Sequence, residues 1–105
     1  MIVEVYKSGF KMNDVLIVAN DETKTVVFND ERANYNATQF IEEIKEITSS
    51  WKPQMIKYGV LDGVWYWVKF VENGEERMFE GRNKFPSNYN EFTNLIEKCK
   101  NSIIN

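Results

Sequence analysis

A chain of 105 residues, 43% hydrophobic and 14% aromatic, makes one domain (1–105) around a single core and is not a disordered tail. Thirteen basic against 16 acidic residues leave a net charge of −3, which argues against a duplex-DNA binder, normally marked by a basic stripe. With one cysteine, Cys99, and no histidine, neither an internal disulfide nor a Cys-His catalytic pair can form.

The first strand is expected near residues 2–7, within "MIVEVYKSG". This start holds no apolar stretch long enough for a signal peptide, and no run approaches a membrane span. Together with the cysteine usage, this points to a cytoplasmic protein without a membrane partner. Strands near 14–19 and 24–29 follow, joined at "NDET" (Asn20 to Thr23) by a short hairpin turn. A helix is expected over about 36–49, where Phe40, Ile41, Ile44 and Ile47 recur at helical spacing. Asn36 and Gln39 are placed for a capping box at its start. "SSWKPQ" (Ser49 to Gln54) is a linker in which Pro53 prevents the helix from continuing.

Three more strands are expected near 55–61, 64–72 and 75–81. "ENGE" puts Asn73-Gly74 in a two-residue type I′ turn between the last two. A second helix over about 88–103 carries Phe92, Leu95, Ile96, Cys99 and Ile103 on one stripe. Pro86 precedes it, and Ser87 or Asn88 is placed to cap it.

Two stretches repeat at one spacing. "MIVEVYKSG" lies over "MIKYGVLDG", and the "NYN" at Asn34 recurs at Asn88. An internal duplication with halves 1–54 and 55–105 and two ordinary hairpin-plus-helix units are both consistent with these matches. Either gives the order βββα-βββα. Short connections favour antiparallel neighbours, and two helices with one apolar stripe each must cover something apolar. The expected architecture is therefore α+β: an antiparallel sheet with both helices packed on one face.

Counting outward from Asn73-Gly74 sets the faces of the second hairpin. Tyr66, Val68, Phe70 and Phe79 share one side, assigned to the core with Phe40, Ile41, Ile44, Leu95 and Ile96. Trp65, Trp67 and Met78 share the other, edged by Lys69, Glu80 and Arg82. An apolar centre inside a charged rim is the composition of a protein-binding face. The competing expectation is that the chain's own segments cover both indoles.

No catalytic, metal or cofactor motif is present, so no catalytic residue, metal or cofactor is expected. Cys99 falls on an apolar stripe, where a thiol is an inert small hydrophobe. Glu42 and Glu46 make a solvated helix face. Arg82, Asn83 and Lys84 precede the second helix and form a candidate anion site beside its free amides; the alternative is that these residues cap the helix. Three functions follow in order. The first is a small interaction module (inhibitor, immunity-type or adaptor protein) that binds a protein partner or forms a homo-oligomer. The second is a binder of single-stranded nucleic acid that stacks bases on Trp65 and Trp67. The third is a small enzyme.

Overall fold

The computed structural model describes residues 1–9, 12–59 and 63–104. Its elements are β1 (Ile2–Gly9), β2 (Met12–Asn20), β3 (Thr25–Phe28), β4 (Glu31–Ala33), α1 (Ala37–Thr48), β5 (Gln54–Ile56), β6 (Trp65–Glu72), β7 (Glu75–Arg82) and α2 (Tyr89–Asn101). They form an α+β fold around one seven-stranded sheet, in the order β4-β3-β2-β1-β6-β7-β5. Both helices pack on the same face. Val3, Val5, Ile17, Ala19, Val26, Val68 and Phe70 point toward them, and the stripes Phe40/Ile41/Ile44/Ile47 and Phe92/Leu95/Ile96/Cys99 answer from above. Every core residue expected from the register is buried, including Tyr66 and Phe79.

Three corrections concern the strands. The sheet is mixed, not wholly antiparallel: β5 runs parallel to β7, with Met55 opposite Gly81. The strand expected over 55–61 ends at Ile56, and Val60 and Leu61 lie outside the described residues. A further strand, β4, is present where none was expected. Asn29 and Asp30 both adopt positive φ (45° and 67°), the geometry of a type I′ turn, and fold Glu31–Ala33 back onto β3. Asn29 anchors that turn, because its side chain accepts from the Leu16 amide and donates to the Asp14 carbonyl.

The halves are also built differently. β1 sits at the centre of the sheet between β2 and β6, whereas β5, its counterpart in the sequence match, is an edge strand that pairs with β7 and not with β6. β5 ends and β6 begins beside the same end of β7, at Arg82. Asn83 holds the start of β6 there: its side chain accepts from the Val64 amide, and its own amide donates to the Val64 carbonyl.

The turns divide likewise. "NDET" is not a two-residue turn; a longer connection is closed by Asn20, whose side chain accepts from the amides of Glu22 and Thr23. The turn at Asn73-Gly74 has φ of 52° and 80°, as type I′ requires, and sets Lys69 opposite Met78 and Trp67 opposite Glu80. Gly74→Val is expected to destabilise the protein by about 1–3 kcal/mol, because a β-branched residue resists positive φ. A urea midpoint equal to that of the wild type would contradict the turn geometry and hence the register.

At the helix starts, Asn36 caps α1 by accepting from the Gln39 amide at 2.9 Å, but the Gln39 side chain turns to Glu43, so only half of a capping box forms. Asn88 stands at the start of α2 and makes no side-chain cap. It accepts instead from the Trp51 indole at 2.7 Å and donates to the Ile47 carbonyl at 2.8 Å. The "SSWKPQ" segment is thus more than a linker: Trp51 is buried in the core against Tyr66, Phe79 and Phe92.

Candidate functional site

The helices cover one face of the sheet, and the protein measures 41 × 32 × 22 Å. A thickness of 22 Å accommodates one sheet and one layer of helices, since packed layers lie about 10 Å apart. The opposite face is therefore the outer surface of the molecule. Strand registers assign its side chains row by row. Leu16, Tyr6, Trp67 and Glu80 form one row across β2, β1, β6 and β7. Val18, Glu4, Lys69 and Met78 form the next, and Ser8, Trp65 and Arg82 a third.

All six residues singled out from the hairpin pattern lie on this face: Trp65, Trp67, Lys69, Met78, Glu80 and Arg82. Neither indole is buried by the chain, nor is either fully open; both are half-buried. Tyr6 is the reason. Its ring stacks on Trp67 at 5.3 Å between centroids, 20° from parallel, and meets Trp65 edge-on at 5.3 Å. Hairpin counting could not find Tyr6, because the pairing of β1 with β6 joins distant parts of the chain. The alternation of "IVEVYKS" was the available signal: with Val3 and Val5 inward, Ile2, Glu4 and Tyr6 must point outward. Leu16 and Ile2, 40% and 36% exposed, extend the apolar band beyond the tryptophans, and Met78, at 40%, bounds it on β7.

Lys69 and Arg82 each lie beside a carboxylate of the face, and Asp14, which accepts from the Tyr6 hydroxyl at 3.1 Å, and Glu76, opposite Val71, add further acidic charge. Lys69 reaches Glu4 at 2.9 Å and lies 5.8 Å from the Trp67 ring centre. The hydrogen bond to Glu4 holds the Lys69 ammonium above its ordinary pKa. Arg82 stacks over Trp65 at 4.8 Å, within 3.6 Å of Glu80, and Glu80 accepts from the Trp65 indole at 2.9 Å. At an exposed site such a cation–π contact contributes about 0.5–1 kcal/mol. Both indoles are therefore held by contacts within the chain itself.

In the other candidate, Arg82 with Asn83 and Lys84, the side chains of the first two are engaged elsewhere. Arg82 projects onto the outer face over Trp65. The Asn83 side chain is spent on Val64, and the Lys84 carbonyl accepts from the Tyr66 hydroxyl on the core side. Cys99 is fully buried, and burial pushes its thiol up to about 11, so it stays protonated near neutral pH. Among the described residues, no three His, Cys, Asp or Glu side chains converge as a metal site, and no helix is long and apolar enough to cross a membrane.

No protein-family model, curated protein or solved structure matches this chain.

Proposed function

We propose that this chain is a small protein-binding module, of the inhibitor, immunity or adaptor kind, that acts by non-covalent contact through the outer face of its sheet. One observation carries the reading: an apolar band of Leu16, Tyr6, Trp65, Trp67 and Met78 runs across the four strands β2, β1, β6 and β7 on the side away from the helices. Exposed apolar patches of this continuity mark interaction sites, and tryptophan and tyrosine are the side chains that anchor them. Single-stranded nucleic acid is a weaker fit. Stacking platforms for it need cations free to meet phosphates, and Lys69 and Arg82 each lie beside a carboxylate of the same face.

The test is the double variant Trp65→Ser/Trp67→Ser, with a photo-crosslinking residue at Met78 in both the wild-type and variant backgrounds. The variant is expected to stay folded, its unfolding midpoint lowered by less than about 8 °C. It is expected to lose the partner that the wild type captures and crosslinks. Global unfolding of the variant, or a crosslinked partner retained at wild-type yield, would overturn the reading.

A further inference from the structure

Resting on that reading, we infer that the occupant of the outer face is a second copy of this chain, bound sheet to sheet about a two-fold axis through the Tyr6–Trp67 row.

Charge is the first argument. A partner of opposite sign is selected by uncompensated charge, and here Lys69 is paired with Glu4, and Arg82 lies beside Glu80. The cations of the face are thus already engaged and none is left to select an acidic partner, although Asp14, beside Tyr6, and Glu76, opposite Val71, add acidic charge to it. Shape is the second. Two sheets packed face to face match when their twists agree, with strands about 30° apart and faces about 10 Å apart. A second copy supplies the same twist and the same alternating relief, and closure about a two-fold makes the contact finite and not a growing fibre.

The position of the aromatic row is the third. β1 is the middle strand of the order β4-β3-β2-β1-β6-β7-β5, with β6 beside it, so the Tyr6–Trp67 stack occupies the centre of the face. Binding energy concentrates in central aromatics that neighbours shield from water. Size agrees as well. Strands at about 4.8 Å spacing and residues at about 3.3 Å give the four central strands roughly 450–500 Å² of projected surface. Two copies together then cover about 1,000 Å², the lower bound for a specific contact. Edge-to-edge pairing offers much less, because the edge strands β4 and β5 have three residues each. The assembly is four-layered, with the helices outside and the two sheets within.

Sedimentation equilibrium between about 1 and 100 μM tests this with the wild type, Trp67→Ser and Leu16→Glu, folding being checked for each by circular dichroism; concentrations of this order bracket weak to moderate affinities. The expected result is twice the chain mass of 12.4 kDa for the wild type. Both folded variants should show a dissociation constant raised at least about thirtyfold. A wild type that stays monomeric throughout overturns the second copy as occupant. Acrylamide quenching of tryptophan emission then separates the two readings, using Trp51→Phe to remove the core indole. Readily quenched Trp65 and Trp67 leave the protein-binding face standing with another partner, whereas shielded indoles overturn both. A dimer equally strong in all three proteins places the contact elsewhere and also overturns the inference.

Discussion

Replacing Trp51 with alanine is expected to cost about 3–5 kcal/mol, the range for deleting a buried large aromatic. The side chain is 6% exposed and meets three rings edge-on: Tyr66 at 5.7 Å, Phe79 at 6.5 Å and Phe92 at 5.1 Å. It also holds the Asn88 side chain, which in turn donates to the last turn of α1 at Ile47. Its loss therefore opens a cavity and frees the joint between the end of α1 and the start of α2. Trp51→Phe retains much of the packing but leaves the Asn88 carbonyl without its donor, so it should cost less, about 1–3 kcal/mol. Urea denaturation of both variants checks the order. Equal losses would mean that the ring packing contributes nothing beyond the hydrogen bond to Asn88, which both variants lose.

Gly81→Ala is expected to be nearly as damaging. Gly81 lies opposite Tyr66 across the β6–β7 ladder, and a Cβ there would lie 2.0 Å from Tyr66 Cζ. No contact of that length is tolerable, so the ring must leave its place. It cannot do so freely: Tyr66 is fully buried, stacked on Phe85, packed against Tyr89 and Phe92, and its hydroxyl donates to the Lys84 carbonyl. Displacing it forfeits much of what a buried aromatic contributes, about 3–5 kcal/mol. A double-mutant cycle is the discriminating measurement. Combined with Tyr66→Ala, the glycine substitution should add little further loss, because the ring it clashes with is gone. Strict additivity would show that the two residues do not meet.

Features written in local spacing were legible in the sequence. The I′ turn at Asn73-Gly74, the stripes of both helices and the outward direction of Trp65 and Trp67 each depend on periods of two or 3.6 within one segment. What escaped depends on contacts between remote segments or on very short ones. Three residues of β4 bury only Ala33, too little to show alternation. The parallel seat of β5 rests on three residues that pair with a strand made much later in the chain. Asn88 carried a capping signature, yet the indole of Trp51 competed for its side chain and won, since a buried N–H without an acceptor is costly. The site was half visible. The hairpin side of the face could be named from the turn, and alternation along β1 turns Tyr6 outward, but its place beside Trp67 could not be named, because nothing local pairs β1 with β6.

That remote pairing also governs the order in which the protein can assemble. Tyr6 and Trp67 are neighbours across the ladder, although β2, β3, β4, α1 and β5 all separate them along the chain. The meander β1–β4 can zip from its own turns, but the ladder to β6 must close a long loop first, and such closures slow folding. During synthesis the eight residues of β1 wait with one side unpaired until β6 has been made. The finished sheet ends in strands too short to recruit others, whereas the nascent one presents its longest open ladder at what will become its middle. Exposure to misassembly is therefore greatest before the chain is complete, when a chaperone or rapid closure by the β6–β7 hairpin must cover β1.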